Sequence, residues 1–284
     1  MSLPQEIIDT IVDHLQDDKR SLATCAFLGF DWVYRSRNHL FRTITFQTDR
    51  RHNSVTRFLK LIRHSKNRLG VKPFFLDSVR HIRFDQRKQR LGFPLPHPLI
   101  SSLTCLPYVQ TLTVNGGTIC TQTAAMLHAV FQSITIITLD DLWYPVNASP
   151  ADVIFLLGGF PILETLRLKA KFDEATHGDR LPTPNANHNG TFPPGFYIPL
   201  SPRLHTLELE LSPGSALYPW FSSPHQYLTN IRHLQLNKIR WDEPKYIGPL
   251  FTQLGPYLEE LELCLPFHED FNGGICTLDS ERTV

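Results

Sequence analysis

One short apolar pattern, repeated along the chain, constrains the fold more than any other feature of the sequence. It consists of an apolar residue, two further residues, a second apolar residue, one residue, and a third apolar residue. Eight copies occur, at Phe41/Ile44/Phe46, Val79/Ile82/Phe84, Val109/Leu112/Val114, Ile134/Ile137/Leu139, Leu163/Leu166/Leu168, Leu204/Leu207/Leu209, Ile231/Leu234/Leu236 and Leu258/Leu261/Leu263. Successive copies are 38, 30, 25, 29, 41, 27 and 27 residues apart, and periods of this size are typical of repeat proteins.

Each copy predicts a short β-strand. Alternate side chains of a strand point to one face, so the last two apolar residues of a copy point inward and the residue between them points outward. A single strand of this kind cannot bury its apolar face alone, whereas parallel stacking of the copies creates one continuous core. We therefore expect an α/β fold in which the strands stack into a solenoid.

The segments between the strands must return the chain to its starting side. Helical spacing of apolar residues predicts helices over Asn53–Leu69, Thr123–Phe131 and Pro244–Leu254, and the cap Ser149-Pro150 predicts another over Val153–Leu157. The arrangement resembles an irregular leucine-rich-repeat horseshoe, which implies a parallel sheet on its concave face. The Asn that such repeats carry after the second leucine is present only at Asn115 and Asn237, so the resemblance rests on periodicity.

The first 42 residues have a different pattern, which predicts three short helices. After Leu3-Pro4, apolar residues fall on one face of a first helix and Glu6, Asp9 and Asp13 on the other. A turn at residues 16–18 separates it from a second helix, and Trp32 marks a third. A unit of this size cannot bury all of its apolar face internally, so part of that face is expected to pack against something else.

These residues resemble an F-box, and the chain as a whole resembles the expanded F-box families of mushroom-forming fungi, in which leucine-rich repeats commonly follow. The resemblance implies docking on the Skp adaptor, which links F-box proteins to a cullin–RING ubiquitin ligase. It assigns the docking interface to Leu3, Pro4, Ile7, Ile8, Ile11, Leu15 and Leu22, with Trp32 packed inside the module. The sequence departs from the family pattern at Gly29-Phe30-Asp31. The alternative interpretation is a helical cap on the repeats.

The pattern divides the chain into an F-box-like module, residues 1–42, and a repeat region, residues 43–284, which carries a Pro-rich insertion at 171–203. Outward-facing strand residues shift from neutral or basic to acidic toward the C-terminal copies. We expect a target protein to bind this face through Arg83, Thr113, Arg167, Glu208, Gln235, Glu260 and Glu262. A solvated face without a ligand is the alternative, and the sequence does not identify the target.

Composition and motifs argue against other classes of function. The longest apolar runs are far shorter than a membrane span, and the acidic N-terminal turn does not fit a signal peptide, so we expect an intracellular protein in the cytoplasm, the nucleus or both.

We find no catalytic motif, no metal-ligand spacing among the thirteen histidines and no Cys-x-x-Cys pair. Asp140 and Asp141 are adjacent strand residues, which predicts side chains that diverge. We expect no enzymatic activity, cofactor or metal.

A basic segment supports a rival interpretation. Residues 50–90 contain thirteen Lys or Arg and only two acids, a pattern that can indicate nucleic-acid binding. Arg57, Lys60, Arg63 and Lys66 also fit the outer face of the helix predicted over Asn53–Leu69. We therefore favour a solvated helix face over a nucleic-acid site.

Overall fold

Eight strands, one for each copy of the apolar pattern, form a single open parallel sheet in the computed structural model of the protein. The structure describes residues 3–47, 54–64, 73–86, 99, 102–117, 119–144, 151–172, 199–211, 217–222, 228–239 and 244–265. The strands are β1 (Thr43–Gln47), β2 (His81–Asp85), β3 (Thr111–Asn115), β4 (Ile136–Tyr144), β5 (Thr165–Phe172), β6 (Thr206–Leu211), β7 (His233–Asn237) and β8 (Glu260–Cys264). Each strand pairs with its neighbours in chain order, which confirms the predicted parallel stacking.

The register of the sheet aligns the inward residues of the repeats into two continuous rows. One row runs through Ile44, Ile82, Leu112, Ile137, Leu166, Leu207, Leu234 and Leu261. The other runs through Phe46, Phe84, Val114, Leu139, Leu168, Leu209, Leu236 and Leu263. Except for Leu261 and Leu263 in β8, the residues of these rows belong to, or pack against, one apolar core that extends from Phe46 to Leu254. Because each strand covers the inner face of the next, burial of these rows is the main driving force for the sheet.

Helices and short 3₁₀ turns connect the strands. The helices of the described residues are α1 (Gln5–His14), α2 (Lys19–Leu28), α3 (Phe30–Leu40), α4 (Ser54–His64), α5 (Thr121–Val130), α6 (Ala151–Gly158), α7 (Leu217–Phe221) and α8 (Pro244–Leu254). The 3₁₀ turns are Phe74–Ser78, Leu103–Cys105, Leu228–Asn230 and Gly255–Tyr257. The helices predicted over Thr123–Phe131 and Val153–Leu157 are present as α5 and α6, and α8 has the predicted bounds. Of the helix predicted over Asn53–Leu69, Ser54–His64 is present as α4, and residues 53 and 65–69 lie outside the described part.

Packing between α5 and α6 shows how the connecting segments close the core. The ring of His128 on α5 lies 4.9 Å from the ring of Phe160 and 5.3 Å from that of Phe155, measured between centroids. Its Nε2 lies 2.8 Å from the carbonyl oxygen of Leu156. Burial lowers the pKa of His128, so the ring is neutral at pH 7 and donates this hydrogen bond from Nε2.

The Pro-rich insertion begins later than the sequence predicted. Strand β5 continues to Phe172, so Lys171 and Phe172 belong to the sheet and not to the insertion. They pair with Trp143 and Tyr144, which extend β4 beyond the apolar pattern that ends at Leu139. Of the remainder of the predicted insertion, residues 173–198 lie outside the described residues, whereas residues 199–203 are described and lead into β6.

The N-terminal helices have a small apolar core of their own. Ile8, Val12 and Leu22 form its centre, and Leu15, Trp32 and Leu40 pack against it. The position of Trp32 confirms that this side chain packs between the helices. Pro4 precedes α1 as its N-cap, and its carbonyl oxygen accepts from the N–H groups of Ile7 and Ile8.

The inner rows predict a graded effect of leucine truncation. Leu166 in the central strand is 0% exposed, whereas Leu261 in β8 is 44% exposed. We expect Leu166→Ala to lower the free energy of unfolding by about 2–5 kcal/mol through lost burial and a residual cavity. The matched variant Leu261→Ala should lower it by clearly less, because that side chain already contacts solvent. Urea unfolding followed by circular dichroism measures both values, and equal losses would contradict the graded core.

Candidate protein-interaction surfaces

Helix α1 carries a stripe of exposed apolar side chains. Leu3 is 52%, Ile7 48% and Ile11 38% exposed, and their spacing of four residues places them on one face of the helix. Three of the residues that the F-box resemblance assigns to a docking interface are therefore available at the surface.

Two other residues of that assignment are in the core of the module. Ile8 is 2% and Leu22 0% exposed, so the prediction that they contact a partner does not fit their position. Both side chains fill the centre of the three-helix unit, where they hold α1 against α2. Leu15 is also packed against this centre. The sequence could not separate Ile7 from Ile8, because both lie within the broad apolar face of α1.

The corner between α2 and α3 exposes four more large side chains, which the sequence analysis did not assign to a surface. Phe27 is 89% and Phe30 94% exposed, and Leu28 and Tyr34 are also exposed. The available signal was the run Phe27-Leu28-Gly29-Phe30, which places apolar residues at a helix boundary where polar residues are usual.

The corner and the start of the α1 stripe lie at the same end of the module. Gln5 Nε2 in the first turn of α1 donates a hydrogen bond of 3.0 Å to the carbonyl oxygen of Asp31 in the first turn of α3. We call the combined set the apolar surface of the module; it consists of Leu3, Ile7, Ile11, Phe27, Leu28, Phe30 and Tyr34. Exposed apolar groups at this density are typical of protein-interaction sites.

A charged cluster fixes the C-terminal half of α1 to α3. The Asp13 carboxylate accepts two hydrogen bonds of 2.6 Å from the Arg35 guanidinium and lies 2.7 Å from Nε2 of His39. Hydrogen bonding to Arg35 and then to His39 holds the pKa of Asp13 well below its ordinary value of 3.8. The bidentate geometry aligns the two helices that carry much of the apolar surface.

The other end of α3 is attached directly to the sheet. Ser78 Oγ donates to Asn38 Oδ1, and the rings of Phe41 and Phe75 lie 4.8 Å apart, between centroids. The carbonyl oxygen of Arg42 accepts from the N–H of His81, 3.0 Å away, at the start of β2. Phe30 lies about 15 Å along the helix from this junction, given a rise of about 1.5 Å per residue. The corner that carries Phe27 and Phe30 is therefore held away from the sheet.

On the sheet, the outward residues at the middle of each strand form one row. This polar row runs through Thr45, Arg83, Thr113, Thr138, Arg167, Glu208, Gln235 and Glu262. Six of the seven residues that the sequence assigned to target binding belong to this row, and the seventh, Glu260, lies in the adjacent row beside His233. The register thus brings the predicted residues together, although it does not test whether they bind a target.

The N-terminal half of the polar row is held by neutral hydrogen bonds and one cation. Oriented with its oxygen toward Arg83, the amide of Asn115 accepts from this guanidinium at 2.6 and 2.7 Å. His81 Nε2 lies 2.8 Å from Thr113 Oγ1. Burial, followed by repulsion from Arg83 and Arg42, lowers the pKa of His81. The imidazole is therefore neutral at pH 7, and Arg83 supplies the positive charge here.

The C-terminal half is acidic and contains a shallow depression. Its volume is about 340 Å³, and it is lined by Arg167, Thr206, Glu208, His233, Leu234, Gln235, Glu260 and Glu262. Arg167 Nε lies 3.0 Å from Glu208 Oε2, and His233 Nδ1 lies 2.7 Å from Glu260 Oε2. Three carboxylates against one guanidinium leave the lining negative when the histidine is neutral.

A bulge in β4 changes the geometry of the adjacent acids. Asp141 has a φ of 51°, and the register between β4 and β5 shifts between Leu139 and Leu142. As a result, Lys169 Nζ lies 3.7 Å from Asp140 and 3.9 Å from Asp141. The prediction that these two carboxylates diverge is wrong, because it assumed a regular strand.

Other chemistry is limited in the described part of the chain. No group of three or more His, Cys, Asp or Glu side chains there could hold a metal ion. Burial, followed by Glu262, raises the pKa of Cys264, so its thiol stays protonated and is a poor nucleophile. No described helix is both long and apolar enough to cross a bilayer.

Comparison with known proteins adds no assignment. No family model matches the chain, and no curated protein matches it significantly. The apolar surface of the module and the polar row of the sheet are therefore the features that indicate a function.

The Asp13 cluster predicts a pH-dependent contribution to stability. Because the pKa of Asp13 is lowered in the folded protein, the cluster stabilises the fold above about pH 4 and loses its contribution as the pH falls further. Asp13→Asn should therefore lower the thermal midpoint at pH 7, by an amount equivalent to less than about 1 kcal/mol because the ion pair is half exposed. In thermal scans from pH 7 to pH 2, the difference between the two proteins should be constant down to about pH 4 and should then narrow progressively, and a difference that stays constant below pH 4 would contradict this.

Proposed function

We propose that the protein is the substrate-recognition subunit of an SCF-type cullin–RING E3 ubiquitin ligase. In this proposal the N-terminal helices are an F-box that docks on the Skp adaptor, and the strands form a leucine-rich-repeat solenoid that binds a target protein. The subunit performs no chemistry itself. It accelerates ubiquitin transfer by holding the target close to the catalytic subunits.

The observation that carries the proposal is the apolar surface of the module. Phe27 and Phe30 are almost fully exposed at the end of α3 that is remote from the sheet. Full burial of one such side chain in an interface contributes about 1.5–3 kcal/mol. A cap that only covered the repeats would direct its apolar side chains toward the sheet, so this exposure supports docking of another protein.

The junction between module and sheet supports the second half of the proposal. Strand β1 begins at Thr43, directly after α3, and the contacts of Asn38 and Phe41 fix the helix to the turn Phe74–Ser78. A target bound on the polar row is then held at a fixed distance from the adaptor. A rigid junction keeps the bound target close to the catalytic subunits, because the module and the sheet lose little orientational freedom when the target binds.

Charge substitutions in the apolar surface should abolish adaptor binding. Ile7→Asp/Ile11→Asp introduces two carboxylates that would be buried without partners in the interface, at a cost of several kcal/mol. We expect the affinity for the purified Skp adaptor to fall by about 100-fold or more, equivalent to about 3 kcal/mol. Pull-down and calorimetric titration with the full chain measure the effect, and Phe30→Asp provides an independent test of the corner.

A matched control is available on α4, where Leu61 is similarly exposed but lies outside the apolar surface. Leu61→Asp should leave adaptor binding unchanged, and circular dichroism should show that every variant is folded. Binding that survives both Ile7→Asp/Ile11→Asp and Phe30→Asp would contradict the proposed docking site. A wild-type chain that does not bind the adaptor would contradict the proposed function itself.

Nucleic-acid binding is the second candidate, because α4 exposes Arg57, Lys60 and Arg63 on its solvent face while Val55 and Phe58 are buried. If these cations contact phosphates, the logarithm of the affinity for single-stranded RNA should fall linearly with the logarithm of the salt concentration. The slope should be about 0.7 for each phosphate contact. Arg57→Ala/Lys60→Ala/Arg63→Ala should reduce that slope in fluorescence-anisotropy titrations. A slope that is the same in the variant would contradict this candidate.

A further inference from the structure

Strand β8 ends the described sheet with one edge unpaired. Glu260 N–H donates to the carbonyl oxygen of Arg232 at 2.9 Å, and the carbonyl oxygen of Cys264 accepts from Ile239 N–H at 3.3 Å. Backbone groups of successive strand residues point to opposite sides, so those of Leu261 and Leu263 point away from β7. No strand within the described residues pairs with this side of β8. The edge therefore offers free hydrogen-bonding groups to an extended segment.

The inner face of β8 is incompletely covered. Leu261 and Leu263 continue the two inner rows of the sheet, but they remain exposed, as does Leu265 beyond them. Their register partners Leu234 and Leu236 on β7 are buried. One further strand beside β8 would cover Leu261 and Leu263 in the way that β8 covers β7.

The outer face of β8 is acidic. Residues 258–265 contain Glu259, Glu260 and Glu262 and no basic residue. Glu260 and Glu262 line the depression on the polar face of the sheet. Glutamate and leucine alternate along the strand, so an acidic face and an apolar face adjoin the same open edge.

We propose that the β8 edge binds an extended segment of a target protein in which basic and apolar side chains alternate. The segment pairs with the backbone groups of Leu261 and Leu263 and adds a strand to the sheet. Its basic side chains face Glu260 and Glu262, and its apolar side chains cover the exposed leucines. This inference deepens the target-binding half of the proposed function and rests on it.

Charge argues against a second copy of the chain as the occupant. Two β8 strands paired edge to edge would place Glu260 and Glu262 of one copy beside the same residues of the other. Like charges directly opposite each other destabilise strand pairs. A basic segment removes this repulsion and neutralises the acidic face.

The first test uses the full chain and a short fluorescein-labelled peptide of alternating lysine and valine, with a glutamate–valine peptide as the control probe. We expect the lysine–valine peptide alone to bind in anisotropy titrations. Glu260→Lys/Glu262→Lys should weaken it by about tenfold or more, since each cross-strand charge pair contributes up to about 1 kcal/mol and reversal adds repulsion. The charge reversal Asp17→Lys, in the exposed turn of the module, should leave the affinity unchanged.

The second test separates strand addition from charge attraction alone. Leu263→Pro removes an N–H that points to the open edge and leaves the hydrogen bonds to β7 in place. Leu263→Ala is the matched control, because it also removes the leucine side chain but keeps the N–H. We expect the proline variant to bind the peptide about tenfold more weakly than the alanine variant, the equivalent of about 1.4 kcal/mol. Equal affinities would overturn strand addition.

Three further outcomes overturn the inference. One is a wild-type chain that does not bind the lysine–valine peptide. Another is concentration-dependent self-association that is lost in the Leu263→Pro variant, which would assign the edge to a second copy. The third is unchanged peptide affinity in Glu260→Lys/Glu262→Lys. Adaptor binding, measured in the same samples, distinguishes failure of this inference from failure of the proposed function. Adaptor binding without peptide binding would overturn this inference alone. Peptide binding without adaptor binding would overturn the proposed function.

Discussion

The structure depends on one constraint: no strand of this chain can bury its apolar face without a neighbour on each side. The in-register rows that contain Leu166 and Leu168 satisfy this constraint over the middle strands, where the leucines are fully buried. At β8 the constraint is only half satisfied, and Leu261 and Leu263 remain in contact with solvent. The polar row on the opposite face is a consequence of the same register, because a shift of one residue would exchange the two faces.

Close attachment of the module to the sheet links the two candidate surfaces. Helix α3 belongs to both units, since Trp32 packs into the small core and Phe41 contacts the first turn of the repeats. The Asp13–Arg35 pair then aligns α1 with α3. Local packing therefore determines the orientation of the apolar surface relative to the sheet, without a flexible linker.

The sequence predicted the strands well because a period-two apolar pattern, repeated eight times, has few other solutions. The burial of individual residues and the irregularities of the strands could not be predicted from the periodicity of the apolar pattern. Ile7 and Ile8 are both apolar positions on α1, and only the packing of α2 decides which is buried. The bulge at Asp141 follows from a left-handed backbone position that the sequence does not mark with glycine. The exposed Phe27 and Phe30 contradict the usual burial of aromatic residues, and such departures often coincide with interaction sites.

The strand order has a consequence for how such a protein changes over time. Because neighbours in the sheet are also neighbours in the chain, duplication or loss of one repeat lengthens or shortens the sheet by a single strand spacing, about 4.8 Å. The inner rows stay continuous after such an event, whereas the acidic end moves relative to the N-terminal helices. The number of repeats therefore sets the length of the sheet, and outward residues such as Gln235 can vary without changing that length.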